Sequence, residues 1–156
     1  MDAHDLKIRQ ATPDDAAAVA PLFDAYRQFY NKAPDLALAE RFLRERLRNG
    51  DSVILVAHAS PNVGQLLGFV QLYPTFSSLG CSRAWILNDL FVSPDARRLG
   101  VAEALMHAAA DAARLAGIRN ISLSTAHDNV VAQALYEKLG YELDEQFRTY
   151  SLAISA

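Results

Sequence analysis

The residues Leu90-Phe91-Val92-Ser93-Pro94-Asp95-Ala96-Arg97-Arg98-Leu99-Gly100-Val101-Ala102 join a strand to a helix through a short loop. The apolar end at 90–92 reads as strand, Ser93-Pro94-Asp95 as the exit, and the Ala-rich run over 97–116 as a long helix stopped by Gly117. Arg97-x-x-Gly100-x-Ala102 stands at the helix opening. Backbone N–H groups there lack intrahelical acceptors, and the helix dipole favours an anion. Gly100 costs about 1 kcal/mol relative to alanine inside a helix. Close approach of a ligand to the backbone explains that cost, and Ala102 is the next smallest choice. Cations are disfavoured at a helix start. Arg97 and Arg98, adjacent there, therefore ask for an anion and offer donors suited to phosphate oxygens. The stretch reads as a phosphate cradle. It lacks the Gly-x-x-x-x-Gly-Lys-Ser/Thr of a P-loop and the Gly-x-Gly-x-x-Gly of a dinucleotide fold, so a different pyrophosphate-bearing cofactor is indicated.

Working outward, residues 6–10 alternate apolar and polar and read as a half-buried strand. Thr12-Pro13-Asp14-Asp15 opens a helix to about Tyr30, with Val19, Leu22, Phe23, Tyr26 and Phe29/Tyr30 on one face. A second helix starts near Asp35, carries Leu36, Ala39, Phe42/Leu43 and Leu47, and stops at Asn49-Gly50. Residues 53–59 and 66–73 read as strands about a turn at 60–64, with Pro74 closing the second. Residues 76–82 read as a loop and 84–92 as the next strand. Past the long helix, 120–125 reads as strand, 129–139 as helix, and 141–143 and 147–152 as two last strands. The order β-α-α-β-β-β-α-β-α-β-β predicts a mixed α/β (α+β) sheet of about seven strands with four helices, in a single domain over 1–156.

Composition agrees. The 156 residues are 51% hydrophobic and 21% charged, with a net charge of −3. That is ordinary for a soluble globular chain and excludes disorder as the main state. The negative balance argues against nucleic-acid binding by phosphate neutralisation. The one cysteine, Cys81, excludes an intrachain disulfide and a multi-thiolate metal site, and four histidines lie scattered without metal-ligand spacing. No apolar run approaches a membrane span. The start, Met1-Asp2-Ala3-His4-Asp5, has no basic or apolar leader regions, so a cytoplasmic location is expected.

The cradle residues, Arg97-Arg98-Leu99-Gly100-Val101-Ala102, resemble the Arg/Gln-x-x-Gly-x-Gly/Ala motif of the GNAT acetyltransferase superfamily. Residues Asn129-Val130-Val131-Ala132-Gln133-Ala134-Leu135-Tyr136-Glu137-Lys138-Leu139-Gly140-Tyr141 resemble its Asn-x-x-Ala-x-x-Leu-Tyr-x-Lys-x-Gly-Phe/Tyr segment. One helix and one strand separate the two, and the element order matches over nearly the whole chain. Leu87-Asn88-Asp89-Leu90-Phe91-Val92 is further similar to the histone and polyamine/thialysine acetyltransferase branch.

The resemblance implies a cofactor, acetyl-CoA, and a fold in which central strands splay. Leu90, Phe91 and Val92 would hydrogen-bond the pantetheine arm. The N–H groups from Arg98 through Leu99, Gly100, Val101 and Ala102 would hold the pyrophosphate, with Glu103 close behind. Asn129 would contact the pantetheine, capping its helix or doing both. Tyr136 would sit near the sulfur as general acid to the leaving thiolate. Catalysis would be direct attack of a primary amine on the thioester, without metal. Tyr26, Tyr30 and Tyr73 are candidate acceptor contacts. The acceptor is expected to be a small amine or amino-acid derivative, with a protein amino terminus or lysine as the alternative, or the chain a silent acyl-CoA sensor. A homodimer is expected. In one respect the chain departs from the polyamine branch: Asn88 stands where that branch has a glutamate. Asparagine is no base, so Asn88 is expected to position the amine or a water. Successive strand side chains face opposite ways, so with Asn88 toward the substrate Asp89 is expected to face away.

Overall fold

The computed structural model describes residues 5–59 and 65–155. The turn expected at 60–64, and His4, lie outside the described residues. The chain forms two units, one up to Ser124 and one from Thr125.

The first unit holds β1 (Leu6–Gln10), α1 (Ala16–Phe29), α2 (Leu36–Asn49), β2 (Val53–Ala59), β3 (Leu66–Ser77), β4 (Ser82–Val92), α3 (Val101–Leu115) and β5 (Ile121–Leu123). The sheet runs β1-β2-β3-β4-β5. Its first three ladders are antiparallel; β4–β5 is parallel, joined through α3 as a parallel pair requires. Phe69 and Phe91 are ladder partners on one face, packed in the core with Val19, Phe23, Ala39 and Leu43 of α1 and α2. The stripes read from the sequence hold at these positions. Phe29, Tyr30 and Leu36, also expected inside, are 63%, 48% and 52% exposed, because they lie beyond the reach of the sheet at the helix ends.

The opposite face meets α3. A Cβ on Gly68 would lie 2.8 Å from the Phe91 carbonyl oxygen and 3.3 Å from side-chain carbons of Val101 and Leu105. Glycine here lets the first turns of α3 sit on β3, and so fixes where the loop after β4 is delivered.

Several boundaries differ from expectation. β3 passes through Pro74 and pairs to Ser77 with Ser82, turning within residues 78–81. Proline is tolerated there because the β2 ladder ends at Leu72, so the strand edge at Pro74 meets β4 alone. The expected strand at 120–125 contracts to Ile121–Leu123, and its ladder with β4 stops at Leu87 while β4 continues to Val92. The sheet therefore opens on that side over residues 88–92. The long helix begins at Val101, not Arg97, because Arg98 and Gly100 both take left-handed conformations, φ 66° and 76°.

The second unit contains α4 (Val130–Lys138). The two strands expected after it do not form: residues 141–155 carry no strand. Among the described residues the sheet has five strands rather than about seven, because alternation makes a segment compatible with a strand but does not supply its ladder partner.

Asp15 closes the turn before α1. Its carboxylate accepts from the Thr12 N–H at 2.7 Å and from both Arg9 terminal nitrogens at 2.9 and 2.8 Å. Hydrogen bonding to Arg9 is the largest influence holding its carboxyl down to about 2. A depressed carboxyl contributes stability that is present above the unfolded-state value and lost as pH falls through the folded one. The thermal midpoint should therefore fall between about pH 4 and pH 2. In Arg9→Met that fall should be shallower; equal slopes in the two proteins would remove the Arg9–Asp15 pair as its source.

Candidate active site

The loop after β4 carries a 3-10 turn, Pro94–Ala96, then Arg97 in extended and Arg98 in left-handed conformation. Arg97 is exposed; its Nε donates to the Val92 carbonyl at 3.3 Å and its guanidinium lies 5.7 Å from the centre of the Phe91 ring. Gly100 is the N-cap of α3 and, as a glycine, brings no side chain of its own to the helix start. A Cβ at Gly100 would meet nothing within 4 Å, so the space over the first turn is open. Val101 is 1% exposed, its side chain in the core, so only its backbone can serve a ligand. Leu99 is 42% exposed and Ala102 half-buried. Glu103 lies 3.7 Å from His107, one turn on. A glycine at the helix start, open space over the first turn and two exposed arginines fit the pyrophosphate of an acyl-CoA. Residues 90–92 lie on the part of β4 beyond its β5 ladder, with Leu90 and Val92 half-buried and Phe91 in the core.

A second cluster lies on the α1 side of the sheet. Leu72 pairs with Leu87, but Gln71 pairs with Asp89, so Asn88 is an extra residue in β4. Partners across a ladder share a face, and a bulge breaks the alternation. Asp89 therefore joins Phe91 on the α1 face, where it is 4% exposed. The expectation that Asn88 and Asp89 point apart is overturned: Asn88 Nδ2 donates to Asp89 Oδ1 at 3.0 Å. Gln71, 0% exposed, donates through Nε2 to Asp89 Oδ2 at 2.7 Å, and Ser52 Oγ donates to Gln71 Oε1 at 2.7 Å.

Two tyrosines, Tyr26 and Tyr73, face this carboxylate, and a third, Tyr30, packs on Tyr26. Tyr26 packs edge-on against Phe69 and Phe91, with Tyr30 edge-on against it at 5.1 Å. Burial first, then the charge of Asp89 and a hydrogen bond to it, hold the Tyr26 phenol far above its ordinary range. Burial and the charge of Asp89 push Tyr73 up to about 12, against an opposing pull from Arg46. Both phenols are donors at neutral pH. Tyr26, Tyr73 and Asn88, read separately as acceptor contacts, thus gather around one carboxylate, while Tyr30 reaches it only through its packing on Tyr26. Asp89, Gln71 and Ser52 were missed. The available signal was Gln71, an amide inside the apolar run Phe69-Val70-Gln71-Leu72.

In the second unit Asn129 caps α4, its side chain accepting from Ala132 N–H at 3.4 Å. Tyr136 is half-buried, its ring 6.1 Å from that of Tyr141.

A mixed sheet opens beside a strand that runs into a helix start with open space over its first turn and two exposed arginines, a frame that suits an acyl-CoA-dependent transferase. The profile of the Acetyltransferase (GNAT) family matches residues 19–141, and the chain belongs to that family. It is 50% identical over 151 residues to an uncharacterized N-acetyltransferase, YhfO, of Bacillus subtilis (strain 168), covering 97% of this chain and 99% of that protein. A crystal structure of a probable acetyltransferase superposes with TM-score 0.90 at 44% identity, over 96% of this chain and 99% of the other. A structure from Clostridium acetobutylicum, described as a predicted acetyltransferase with acetyl-CoA, shares the fold at TM-score 0.74 and 15% identity, over 94% and 96%. The chain is an acyl-CoA-dependent acetyltransferase.

Proposed function

We propose that the chain moves an acetyl group from acetyl-CoA to the primary amine of a small molecule, by direct attack in a ternary complex. The observation that carries this reading is the carboxylate of Asp89, ringed by Tyr26, Tyr73 and Asn88 at the β4 bulge. One negative charge backed by aromatic rings attracts an ammonium group.

Acetyl-CoA supplies the activated acyl carbon. The amine nitrogen forms the new bond to that carbon as the carbon–sulfur bond breaks. The amine must first shed a proton, because an ammonium has no lone pair; that proton goes to solvent. The Asn88 carbonyl oxygen orients the amine, Tyr26 and Tyr73 remain donors, and the first turn of α3 with Arg97 and Arg98 holds the pyrophosphate. Tyr136 gives the thiolate its proton.

The test is thiol release from acetyl-CoA with spermidine, L-lysine, phenylethylamine, kanamycin and short peptides. Release is expected with small amines and not with peptides. Turnover of peptides alone would replace the small-molecule reading with protein acetylation, and silence across the panel would remove it.

A further inference from the structure

We propose that Ser52 and Gln71 are positioning residues: with Asp89 they form a buried relay that turns the Asn88 carbonyl oxygen outward, toward the acceptor amine. The inference rests on the reading of Asn88 given above and assigns two residues outside it.

A carboxylate accepts hydrogen bonds and does not donate them, whereas each amide has a donating and an accepting end. Asp89 therefore dictates direction on both sides. Gln71 must show its NH2 to Asp89 Oδ2, at 2.7 Å, and so its carbonyl to Ser52. The Ser52 hydroxyl must then donate to Gln71 Oε1, as it does at 2.7 Å. On the other side Asn88 must show its NH2 to Asp89 Oδ1, at 3.0 Å, leaving its carbonyl oxygen directed away from the carboxylate. An acceptor oxygen is what an incoming amine needs; the flipped amide would oppose N–H to N–H.

The relay is graded in depth. Gln71 is 0% exposed, Asp89 4% and Ser52 7%, while Asn88 is exposed. A methionine of similar length would fill the same volume between Val70 and Leu72 but would leave Asp89 Oδ2 and the Ser52 hydroxyl unpaired. The contribution of the amide lies in what it aligns. Tyr26 and Tyr73, the other groups facing Asp89, are donors and reinforce the same polarity.

The experiment takes the fastest acceptor in the amine panel and measures kcat and KM for that amine in wild type, Gln71→Met, Ser52→Ala, Ser52→Thr and Asn88→Ala. Calorimetric CoA affinity and the thermal midpoint are recorded for each. Gln71→Met should lower acceptor kcat/KM about 10- to 100-fold, the scale of misplacing a reacting group. CoA affinity should stay within about twofold, while the thermal midpoint should fall modestly because Asp89 Oδ2 and the Ser52 hydroxyl lose a buried partner. Ser52→Ala should show a smaller loss that Ser52→Thr, which keeps the hydroxyl, restores. That serine pair decides the matter if Gln71→Met does not fold. Asn88→Ala impaired with Gln71→Met at wild-type kcat/KM would overturn the relay and leave the Asn88 reading standing. A Gln71→Met loss that tracks an equal loss of CoA affinity would show plain core support, and overturn it too. Wild-type kcat/KM in Asn88→Ala, or no turnover of any amine, would remove the Asn88 reading and the relay with it.

Discussion

The double variant Arg97→Ala/Gly100→Glu is expected to weaken CoA binding by about 100-fold or more. Three effects add. Arg97 is exposed at the loop and free to turn its guanidinium to a phosphate, since its present bonds are one weak contact at 3.3 Å and a ring face. A hydrogen bond between charged partners contributes about 1.5–3 kcal/mol. A carboxylate at position 100 sits at the N-cap of α3, where its own oxygens can take the first-turn N–H groups that would otherwise hold phosphate. It also opposes the phosphate charge directly. Space does not forbid the side chain, because nothing lies within 4 Å of the added Cβ, so the helix should survive. The left-handed φ of 76° adds about 1–2 kcal/mol of strain. Gly100→Ala isolates that strain: its thermal midpoint should fall while CoA affinity falls much less. Calorimetry decides. Unchanged CoA affinity in the folded double variant would remove the cradle.

Tyr136→Phe is expected to lower kcat by about 100-fold or more while CoA affinity holds. The substitution removes one oxygen and keeps the ring, so the packing against Tyr141 at 6.1 Å is retained. General acid catalysis to a leaving group appears in turnover and not in ground-state binding, so kcat and kcat/KM should fall together. A thioester with a lower-pKa leaving thiol should recover much of the loss, because its thiolate departs without help. Turnover within about twofold of wild type would remove the acid role. A matching fall in CoA affinity would make Tyr136 a binding group.

Much of the local structure was legible because local chemistry writes it. Asp35 accepts from Leu38 N–H and Gly50 takes the left-handed position that ends α2, as their residue types demanded. Asn129 caps α4 in the same way. Arg97, Gly100 and Ala102 stood out as a cradle because cations and glycine are costly at a helix start without a ligand. The start of α3 was misplaced by four residues, from Arg97 to Val101, for a related reason. Arg98 is a residue that rarely takes a left-handed φ, and nothing in its type announces one.

The amino-acid sequence by itself determined the order of strands and helices through α4, several of the caps that bound them, and the family. Each depends on contacts within a few residues, and composition and spacing encode such contacts directly. The tertiary structure alone decided that Asn88 is an extra residue between two strands. That follows from the register of β3 against β4, which no run of either strand states. The bulge turns Asp89 inward to Gln71 and Tyr26, and a carboxylate read as facing away becomes the centre around which the candidate acceptor contacts Tyr26, Tyr73 and Asn88 gather.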